Sequence, residues 1–383
     1  MDTIYLDYAS TAPRDADIVR AKQEFELNHY ANVGRGLYAL SEDAEEWYQN
    51  SKKTVAEWVG CEPIEVLYTY SATYWINLIT LALEHNEIIG KWDTILLSQS
   101  EHHANIVPWQ ILAERVGASI KFIQLDKDFR IDMDHLKSLL DESVVVVSLQ
   151  YASNVTGAIH SLEEVRNIIW KERLFFIDAA QIMIHGWINM RWLGADGMVF
   201  SWHKMMADTG IGVLVLWRVL QKAWKCPISG GGAVNFVSEI THEQAGIPEK
   251  WQPGTPHITG AVSLKLAIDL LSKRDENQHQ EYRNLIRYTN AHFQALVDGG
   301  NIQLFHSNTP HALGIWSFIV PNKHINDVAG SLDKYGICVR SGHHCCDPLH
   351  HSWWVSGTVR VSIGHSTTQK EIDYFFEKLG ELL

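Results

Sequence analysis

The strongest constraint on the fold is an alternation between short apolar runs and longer amphipathic runs across residues 65–220. The apolar runs are rich in Val, Ile, Leu and Phe, which is typical of strands covered on both faces. Seven strands are predicted, at 66–69, 94–97, 120–124, 144–149, 174–177, 197–201 and 212–216. Helical patterns lie between them at 73–84, 106–116, 133–140 and 162–172. This alternation predicts an α/β fold with a mostly parallel seven-stranded sheet flanked by helices.

The pattern changes after the Gly-Thr-Pro turn at 254–256. Helical patterns follow at 260–271 and 278–299, then strand-like runs at 302–305, 314–319, 338–340 and 357–363, and a last helix at 369–382. Segregated helices and strands are typical of an α+β domain. We therefore predict a large domain over residues 15–255 and a smaller α+β C-terminal domain over 256–383, which the N-terminal segment 1–14 joins.

Charge and hydropathy exclude several classes of protein. The chain has 383 residues, of which 32 are basic and 45 acidic, giving a formal net charge of −13. A surface this acidic repels polyanions, so nucleic acid and anionic membranes are not expected partners. No stretch reaches the roughly 18 apolar residues of a membrane-spanning helix, and the N-terminus has no signal-peptide pattern. We expect a cytoplasmic protein, or an organellar one whose transit peptide has been removed.

The cysteines indicate chemistry rather than a disulfide framework. They are odd in number and stand in a large chain without a secretion signal: Cys61, Cys226, Cys338, Cys345 and Cys346. Disulfide-rich proteins are usually small and secreted, so these thiols are expected to be reduced. The adjacent pair Cys345 and Cys346 is therefore a candidate reactive site.

Polar residues follow four of the predicted strands at their carboxyl ends. They are Asn154, Asp178, the segment 201–204 (Ser-Trp-His-Lys), and the segment 71–73 (Ser-Ala-Thr) that opens a helix. Ligands of parallel sheets collect at this edge. A helix N-terminus there offers free N–H groups and a positive dipole end, which suits a phosphate.

These residues together match a pyridoxal phosphate site. Lys204 would form a Schiff base with the cofactor, and Asp178, 26 residues earlier, would stay ionised beside the pyridine nitrogen. The helix start at 71–73 would hold the phosphate. Taken singly, a lysine after a strand is usually a surface residue, and an aspartate at a strand end often caps a helix. The combination predicts pyridoxal 5′-phosphate as the cofactor.

The motifs also resemble a known family. They are YLDYASTAP (5–13), ANVGRG (31–36), EHHANIVPWQ (101–110), SNVTG (153–157), DAAQ (178–181), FSWHK (200–204), TGIGVL (209–214), GTP (254–256) and RSGHHC (340–345). With them, the chain resembles the cysteine desulfurases of the SufS/CsdA type, in the class V aminotransferase group of fold-type I pyridoxal phosphate enzymes. The resemblance runs from Tyr5 to the C-terminus.

The resemblance implies roles around the cofactor. Lys204 binds the cofactor and moves the substrate's α-proton, while His102 stacks on the ring. Asp178 pairs with the ring nitrogen, and Gln181 donates to its phenolic oxygen. The remaining cofactor contacts are expected from Ala72, Thr73, Ser201, His203, Asn154 and, from a partner subunit, Thr255. A homodimer is therefore implied, and no metal site is expected.

The resemblance also implies the reaction. Arg360 clamps the carboxylate of L-cysteine, helped by Asn154 and Arg340, because a guanidinium matches a carboxylate bidentately. The Cys345 thiolate takes the substrate sulfur as a persulfide and L-alanine leaves. A protein acceptor of the SufE/SufU or scaffold type would then receive the sulfur for iron–sulfur cluster assembly. Selenocysteine lyase, another C–S lyase or an aminotransferase remain alternative functions.

Several residues depart from the family pattern. Cys346 is either a second sulfur-relay thiol or a tolerated substitution that points away from the site. Ala72 removes a hydroxyl from the phosphate turn, and Gly34 stands where histidine is usual. The bulky residues Tyr74, Trp75 and Trp202 could narrow the site or alter the dimer contact.

Overall fold

The computed structural model describes residues 3–170, 172–186 and 188–383. Its strands are β1 (Ile4–Tyr5), β2 (Val66–Thr69), β3 (Thr94–Ser98), β4 (Ser119–Ile123), β5 (Val144–Gln150), β6 (Leu174–Asp178), β7 (Gly197–Ser201), β8 (Gly212–Leu216), β9 (Val234–Val237), β10 (His242–Gln244), β11 (Gln303–Phe305), β12 (Ile315–Ile319), β13 (Ile337–Cys338), β14 (Arg340–Gly342) and β15 (Thr358–Ser362).

The helices alternate with these strands through most of the described chain. They are α1 (Ala16–Asn28), α2 (Ala39–Val59), α3 (Ala72–His85), α4 (Val107–Val116), α5 (Met133–Leu139), α6 (Leu162–Ile168), α7 (Met190–Leu193), α8 (Arg218–Ala223), α9 (Ile258–Leu271), α10 (Glu276–Asp298), α11 (Ile325–Asp333), α12 (Asp347–Ser352) and α13 (Gln369–Gly380). Among the described residues, no helix is long and apolar enough to cross a membrane.

The predicted seven-stranded sheet is confirmed. Its strand order is β2-β8-β7-β6-β5-β3-β4, and each strand lies within one residue of its predicted bounds. The strands from β4 to β7 run parallel, whereas β8 is antiparallel to both β7 and β2. The fold is therefore the expected mostly parallel α/β arrangement, with one reversed strand near its edge.

Both faces of this sheet are covered, which explains the continuous apolar runs. All residues of β7 and β8 are buried. Alternate residues serve opposite faces, because side chains of a strand alternate in direction. On β5, Val147 and Leu149 pack in the core with α2 and α9, while Val146 packs in the core with α3 and α4.

The C-terminal part of the chain forms a second, smaller sheet. Its order is β11-β12-β15-β14, and every pair is antiparallel. Helices α10 and α13 cover it with an apolar core that includes Phe293, Trp316 and Phe375. The N-terminal segment joins this part through parallel pairing of β1 with β13 and a bridge from Asp7 to Ser362.

Some local predictions differ from the structure. Helix α6 ends at Ile168, four residues before the predicted end at 172. The run 338–340 is split between β13 and β14. The domain boundary at 255 stays a prediction, and α9, which lies beyond it, packs against α1 and α2 in the core of the larger sheet.

Candidate active site

A cleft of about 340 Å³ lies at the carboxyl ends of the parallel strands. The predicted site residues that line it are Ala72, Thr73, His102, Asn154, Asp178, Gln181, Ser201, His203, Lys204, Arg340, Cys345 and Arg360. The fold thus brings together in one cleft residues that are as far apart in the sequence as Ala72 and Arg360. Thr255 lies elsewhere, in a pocket with Tyr70, Tyr74 and His257. Its predicted contact from a partner subunit stays a prediction.

The phosphate turn is the start of α3. The Ser71 hydroxyl caps the helix by accepting from the Tyr74 N–H at 3.2 Å, and the Ala72 N–H donates to the Ser201 hydroxyl at 3.0 Å. These bonds fix the first turn of the helix against the end of β7. Because Ser71, Ala72 and Thr73 line the cleft, the positive end of the helix dipole faces it.

Lys204 lies in a short 3-10 turn directly after β7. Burial lowers the pKa of its amine to about 8, although the Asp178 carboxylate raises it and the Arg360 guanidinium lowers it further. Burial raises the pKa of Asp178, opposed by a 2.9 Å hydrogen bond from the Ala180 N–H and by the charge of Lys204. The amine is therefore easily deprotonated, as both nucleophilic attack and proton transfer require.

His102 is held as a neutral imidazole. Its Nδ1 accepts a hydrogen bond from the Ala104 N–H at 3.0 Å, which places the ring proton on Nε2. Burial lowers its pKa to about 3, and the charges of Lys204 and His103 lower it further. A neutral ring in this place can stack on a planar cofactor.

Glu101, which sequence analysis did not assign, fixes the turn that carries this histidine. The carboxyl group is fully buried and accepts from the Ser98 hydroxyl, the Asn105 amide and the Gln150 N–H at 2.5, 2.8 and 2.7 Å. Burial raises its pKa to about 8, in spite of these hydrogen bonds. The network fixes the turn that carries His102. The one feature of the sequence that could have pointed to Glu101 is its position directly before His102 in the motif 101–110.

Asp7 was also missed, and it holds both predicted substrate arginines. Its carboxylate accepts from Arg360 at 2.9 Å and from Arg340 at 2.8 Å. Arg360 also donates to the Ser10 hydroxyl at 2.6 Å and to the Asn154 carbonyl at 3.0 Å. Burial opposes ionisation of Asp7, but the two arginines and Ser10 outweigh it and lower the pKa of this carboxyl.

The loop between β14 and α12 presents Cys345 to solvent. His344 and Cys345 both have left-handed backbone conformations, with φ of 52° and 54°. The Cys345 carbonyl accepts from the His103 N–H at 2.7 Å, and the His344 carbonyl accepts from the Asn154 amide at 2.8 Å. These bonds tie the loop to two other walls of the cleft.

Cys346 faces the opposite way. It is fully buried beside Val155 and Leu349, and its thiol donates to the Ser100 carbonyl at 3.3 Å. Burial raises its pKa well above the ordinary value. The structure favours the interpretation of a tolerated substitution over that of a relay thiol, because a buried neutral thiol is unreactive.

The bulky departures from the family pattern do not line the cleft. Trp202 is fully buried and packs edge-on against Tyr68 at 5.3 Å. Trp75 is also fully buried, and its indole N–H donates to the Gly212 carbonyl at 3.3 Å. The hypothesis that these tryptophans narrow the site is therefore wrong, because both side chains fill the core.

Comparisons with known proteins agree with this geometry. The sequence model of the family described as aminotransferase class-V matches residues 4–375. The chain belongs to this family. A probable cysteine desulfurase of Pyrococcus abyssi is 34% identical over 100% of this chain and 94% of its own length. A cysteine desulfurase of Escherichia coli is 33% identical, over 96% of this chain and 90% of its own length.

Solved structures give the same result. A cysteine desulfurase from Thermococcus onnurineus superposes with a TM-score of 0.93 and 32% identity, covering 99% of this chain and 94% of that one. The cysteine desulfurase CsdA from Escherichia coli superposes with a TM-score of 0.90 and 28% identity, covering 100% of this chain and 95% of that one. The resemblance, the fold class, the enzyme class and the pyridoxal phosphate cofactor are thereby confirmed.

The residues present fit the cofactor. A buried acid, a lysine of lowered pKa, a neutral histidine and a helix N-terminus face one cleft. Three atoms of cleft-lining residues are buried and lack hydrogen-bond partners in the described part of the chain: the Asn154 amide oxygen, the His344 Nδ1 and the Arg360 Nε. A bound cofactor and substrate would supply such partners, since unpaired buried polar atoms are costly.

Gly212 tests the phosphate turn. A Cβ there would lie 2.4 Å from the Ser71 carbonyl carbon and 2.9 Å from the Ala72 nitrogen, so Gly212→Ala must displace this backbone. We expect the dissociation constant for pyridoxal phosphate to rise roughly tenfold or more, as measured by absorbance titration of the apoenzyme. Gly230→Ala, whose Cβ would meet nothing within 4 Å, is the control. Unchanged affinity in Gly212→Ala would contradict the assignment.

Lys204 gives a pH-dependent prediction. Only the neutral amine attacks an aldehyde, so the rate at which the apoenzyme takes up pyridoxal phosphate should rise with pH around a midpoint near 8. An ordinary lysine would give a midpoint near 10.5. Stopped-flow absorbance across this pH range measures the profile, with a short lysine peptide as the reference. A midpoint matching that of the peptide would refute the lowered pKa.

Asp7 gives a prediction for stability. Asp7→Asn leaves two guanidinium groups without their counter-charge, and we expect a loss of about 3 kcal/mol in the free energy of unfolding. Urea denaturation measures it. Asp17→Asn is the control, because Asp17 pairs with Arg20 on the exposed surface and such pairs contribute less than about 1 kcal/mol.

The same carboxyl adds a dependence on pH. Its folded-state pKa is lowered from 3.8, so its contribution is complete above the unfolded value and is lost as pH falls through the lower, folded one. The stability gap between wild type and Asp7→Asn should therefore shrink below a pH of about 4. A gap that stays constant down to strong acid would show that the Asp7 charge is not the cause.

Proposed function

We propose that this chain is a pyridoxal phosphate-dependent cysteine desulfurase, which converts L-cysteine to L-alanine and leaves the sulfur as a persulfide on Cys345. One observation carries the proposal: an exposed cysteine lines the same cleft as a half-buried lysine of lowered pKa. An aminotransferase has no need of a thiol at this place. The names of the full-length relatives support the same activity.

The cofactor would be held by the residues at the carboxyl edge of the larger sheet. The N-terminus of α3, Ser201 and His203 would bind the phosphate, and Asp178 would pair with the ring nitrogen. Gln181 is oriented by donating to the Ala9 carbonyl at 2.9 Å. When bound, pyridoxal phosphate supplies an electron sink that acidifies the substrate's Cα–H and allows its Cβ–S bond to break.

The substrate carboxylate would bind at Arg360. This guanidinium is almost fully buried, and its Nε has no partner in the described part of the chain. Asp7, Ser10 and the Asn154 carbonyl accept from three of its four terminal N–H groups and fix its plane. The guanidinium is therefore already oriented before the substrate arrives, and a carboxylate can bind it by replacing part of this network.

Lys204 would move the substrate's proton. With a pKa of about 8, the free amine can accept a proton from Cα and return it at nearby pH values. His102 stays neutral under these conditions, because its pKa is lowered to about 3. It therefore shapes and covers the site without adding positive charge.

Cys345 would accept the sulfur. Its thiolate forms an S–S bond with the substrate sulfur, and the Cβ–S bond breaks with its electron pair remaining on the carbon side. That carbon takes a proton and becomes the methyl group of alanine. The exposed position of Cys345 gives a second protein access to the persulfide, whereas Cys346 has none.

The finer parts of the proposal concern partners. We propose a homodimer in which Thr255 reaches the phosphate of the partner subunit, and a sulfur acceptor of the SufE/SufU or scaffold type that serves iron–sulfur cluster assembly. The five cysteines are all free, which agrees with a reducing compartment such as the cytoplasm.

Mass spectrometry tests the reaction. The purified holoenzyme is incubated briefly with L-cysteine, digested without reductant, and mapped across residues 340–360. We expect a mass increase of one sulfur atom on Cys345 and stoichiometric alanine. Cys346→Ser is the matched control and should keep both, while Cys345→Ser should lose the adduct and turnover.

Other outcomes would assign another activity. Pyruvate and sulfide without an adduct on Cys345 would show a C–S lyase, whereas 3-mercaptopyruvate without an adduct would show an aminotransferase. An adduct that requires Cys346 would show that the wrong thiol has been assigned. Turnover of selenocysteine that survives Cys345→Ser, with cysteine turnover lost, would add selenocysteine lyase activity to the same site.

A further inference from the structure

A second cleft of about 470 Å³ is lined by the chain after β1, the end of α9, the start of α10 and the turn after β15. Its basic residues are Arg14, Lys273 and Arg274, and Asp15 is the acidic residue of its lining. None of the residues assigned above to cofactor or substrate lines it. Its volume lies in the range typical of small-molecule sites.

Arg274 is the central feature of this cleft. The guanidinium is partly buried, and burial lowers its pKa to about 10. It donates to the Ile184 carbonyl at 3.4 Å and contacts the Met206 sulfur at 4.0 Å. Within residues 3–170, 172–186 and 188–383 it forms no ion pair. A partly desolvated charge without a counter-ion gains from pairing with an anion, and the Arg274 guanidinium can donate to one that enters the cleft.

Two histidines beside Arg274 also lack partners. Both ring nitrogens of His365 and the Nδ1 of His185 are buried without a hydrogen bond in the described chain. The rings pack against Tyr282 at centroid distances of 4.3 and 5.3 Å. Burial, together with the Arg274 charge, lowers the pKa of each, so both rings are neutral. A neutral imidazole has one N–H to donate.

The neighbouring charges are already engaged. Asp15 caps α1 by accepting from the Asp17 and Ile18 N–H groups at 2.8 and 3.4 Å. Arg14 pairs with Asp208 at 3.0 Å, outside the lining of the cleft. Neither of these acids compensates Arg274. Lys273 is exposed at the rim and adds to the positive potential.

We propose that this cleft is a binding site for a small oxyanion, a carboxylate or a phosphate, with Arg274 as its charged donor. Lys273 adds long-range attraction, and His365 and the hydroxyl pair of Tyr8 and Ser366, 2.7 Å apart, supply neutral polar contacts. The ligand satisfies the guanidinium that the protein leaves without an acid. The site is separate from the cofactor phosphate turn and does not depend on the proposed reaction.

Calorimetry of the holoenzyme tests the proposal. The bound cofactor blocks the phosphate turn, and the product L-alanine, present in excess, occupies the carboxylate site at Arg360. Inorganic phosphate and succinate, each titrated in a buffer free of other oxyanions, then report on the second cleft. We expect one further site per chain, with the dissociation constant raised about tenfold or more in Arg274→Gln. Tighter binding of phosphate than of succinate identifies a phosphate ligand, and the reverse order identifies a carboxylate.

Control variants make the result decisive. Arg287→Gln removes an exposed arginine of α10 and should leave binding unchanged. If Arg274→Gln does not fold, Lys273→Gln at the exposed rim should still weaken anion binding. The cofactor absorbance of this variant should be unchanged. Absence of binding to the wild type, or equal loss in Arg287→Gln and Arg274→Gln, would overturn the proposal. Desulfurase activity is measured separately, so failure of one proposal leaves the other intact.

Discussion

The arrangement of one carboxylate between two guanidinium groups organises the site. Asp7 bonds Arg360 of β15 and Arg340 of β14, and Arg360 in turn bonds the Asn154 carbonyl beyond β5. The N-terminal segment, the smaller sheet and the edge of the larger sheet therefore meet at a single charge cluster. The apolar core of the smaller sheet is separate from the two cores of the larger sheet, and this polar contact helps to set their relative position at the cleft.

Much of this could be predicted from the sequence. The strands of the larger sheet were found within one residue because both of their faces are buried, and burial on both faces leaves an uninterrupted apolar run. Asp178 and Lys204 could be found in the same way, because they are polar residues that follow such apolar runs. The resemblance to a family supplied the residues that no periodicity marks, Arg360 and Cys345 among them.

The rest could not be read from the sequence because it depends on distant contacts. Nothing near Asp7 indicates that it pairs with residues more than 330 positions away. The hairpin of β9 and β10 has mostly exposed side chains and therefore no apolar pattern. Trp75 and Trp202 looked like cleft residues by their neighbours in sequence, whereas their direction is decided by packing in the core.

The backbone around Cys345 has a consequence for protection against oxidation. One peptide bond separates a thiol in solvent from a thiol in the core, and the left-handed turn holds them apart. Adjacent cysteines can join in a strained ring, but here that would require Cys346 to leave its cavity beside Val155 and Leu349. The packing of the core thus opposes a disulfide between Cys345 and Cys346, and the Cys345 thiol stays free although a second cysteine follows it in the sequence.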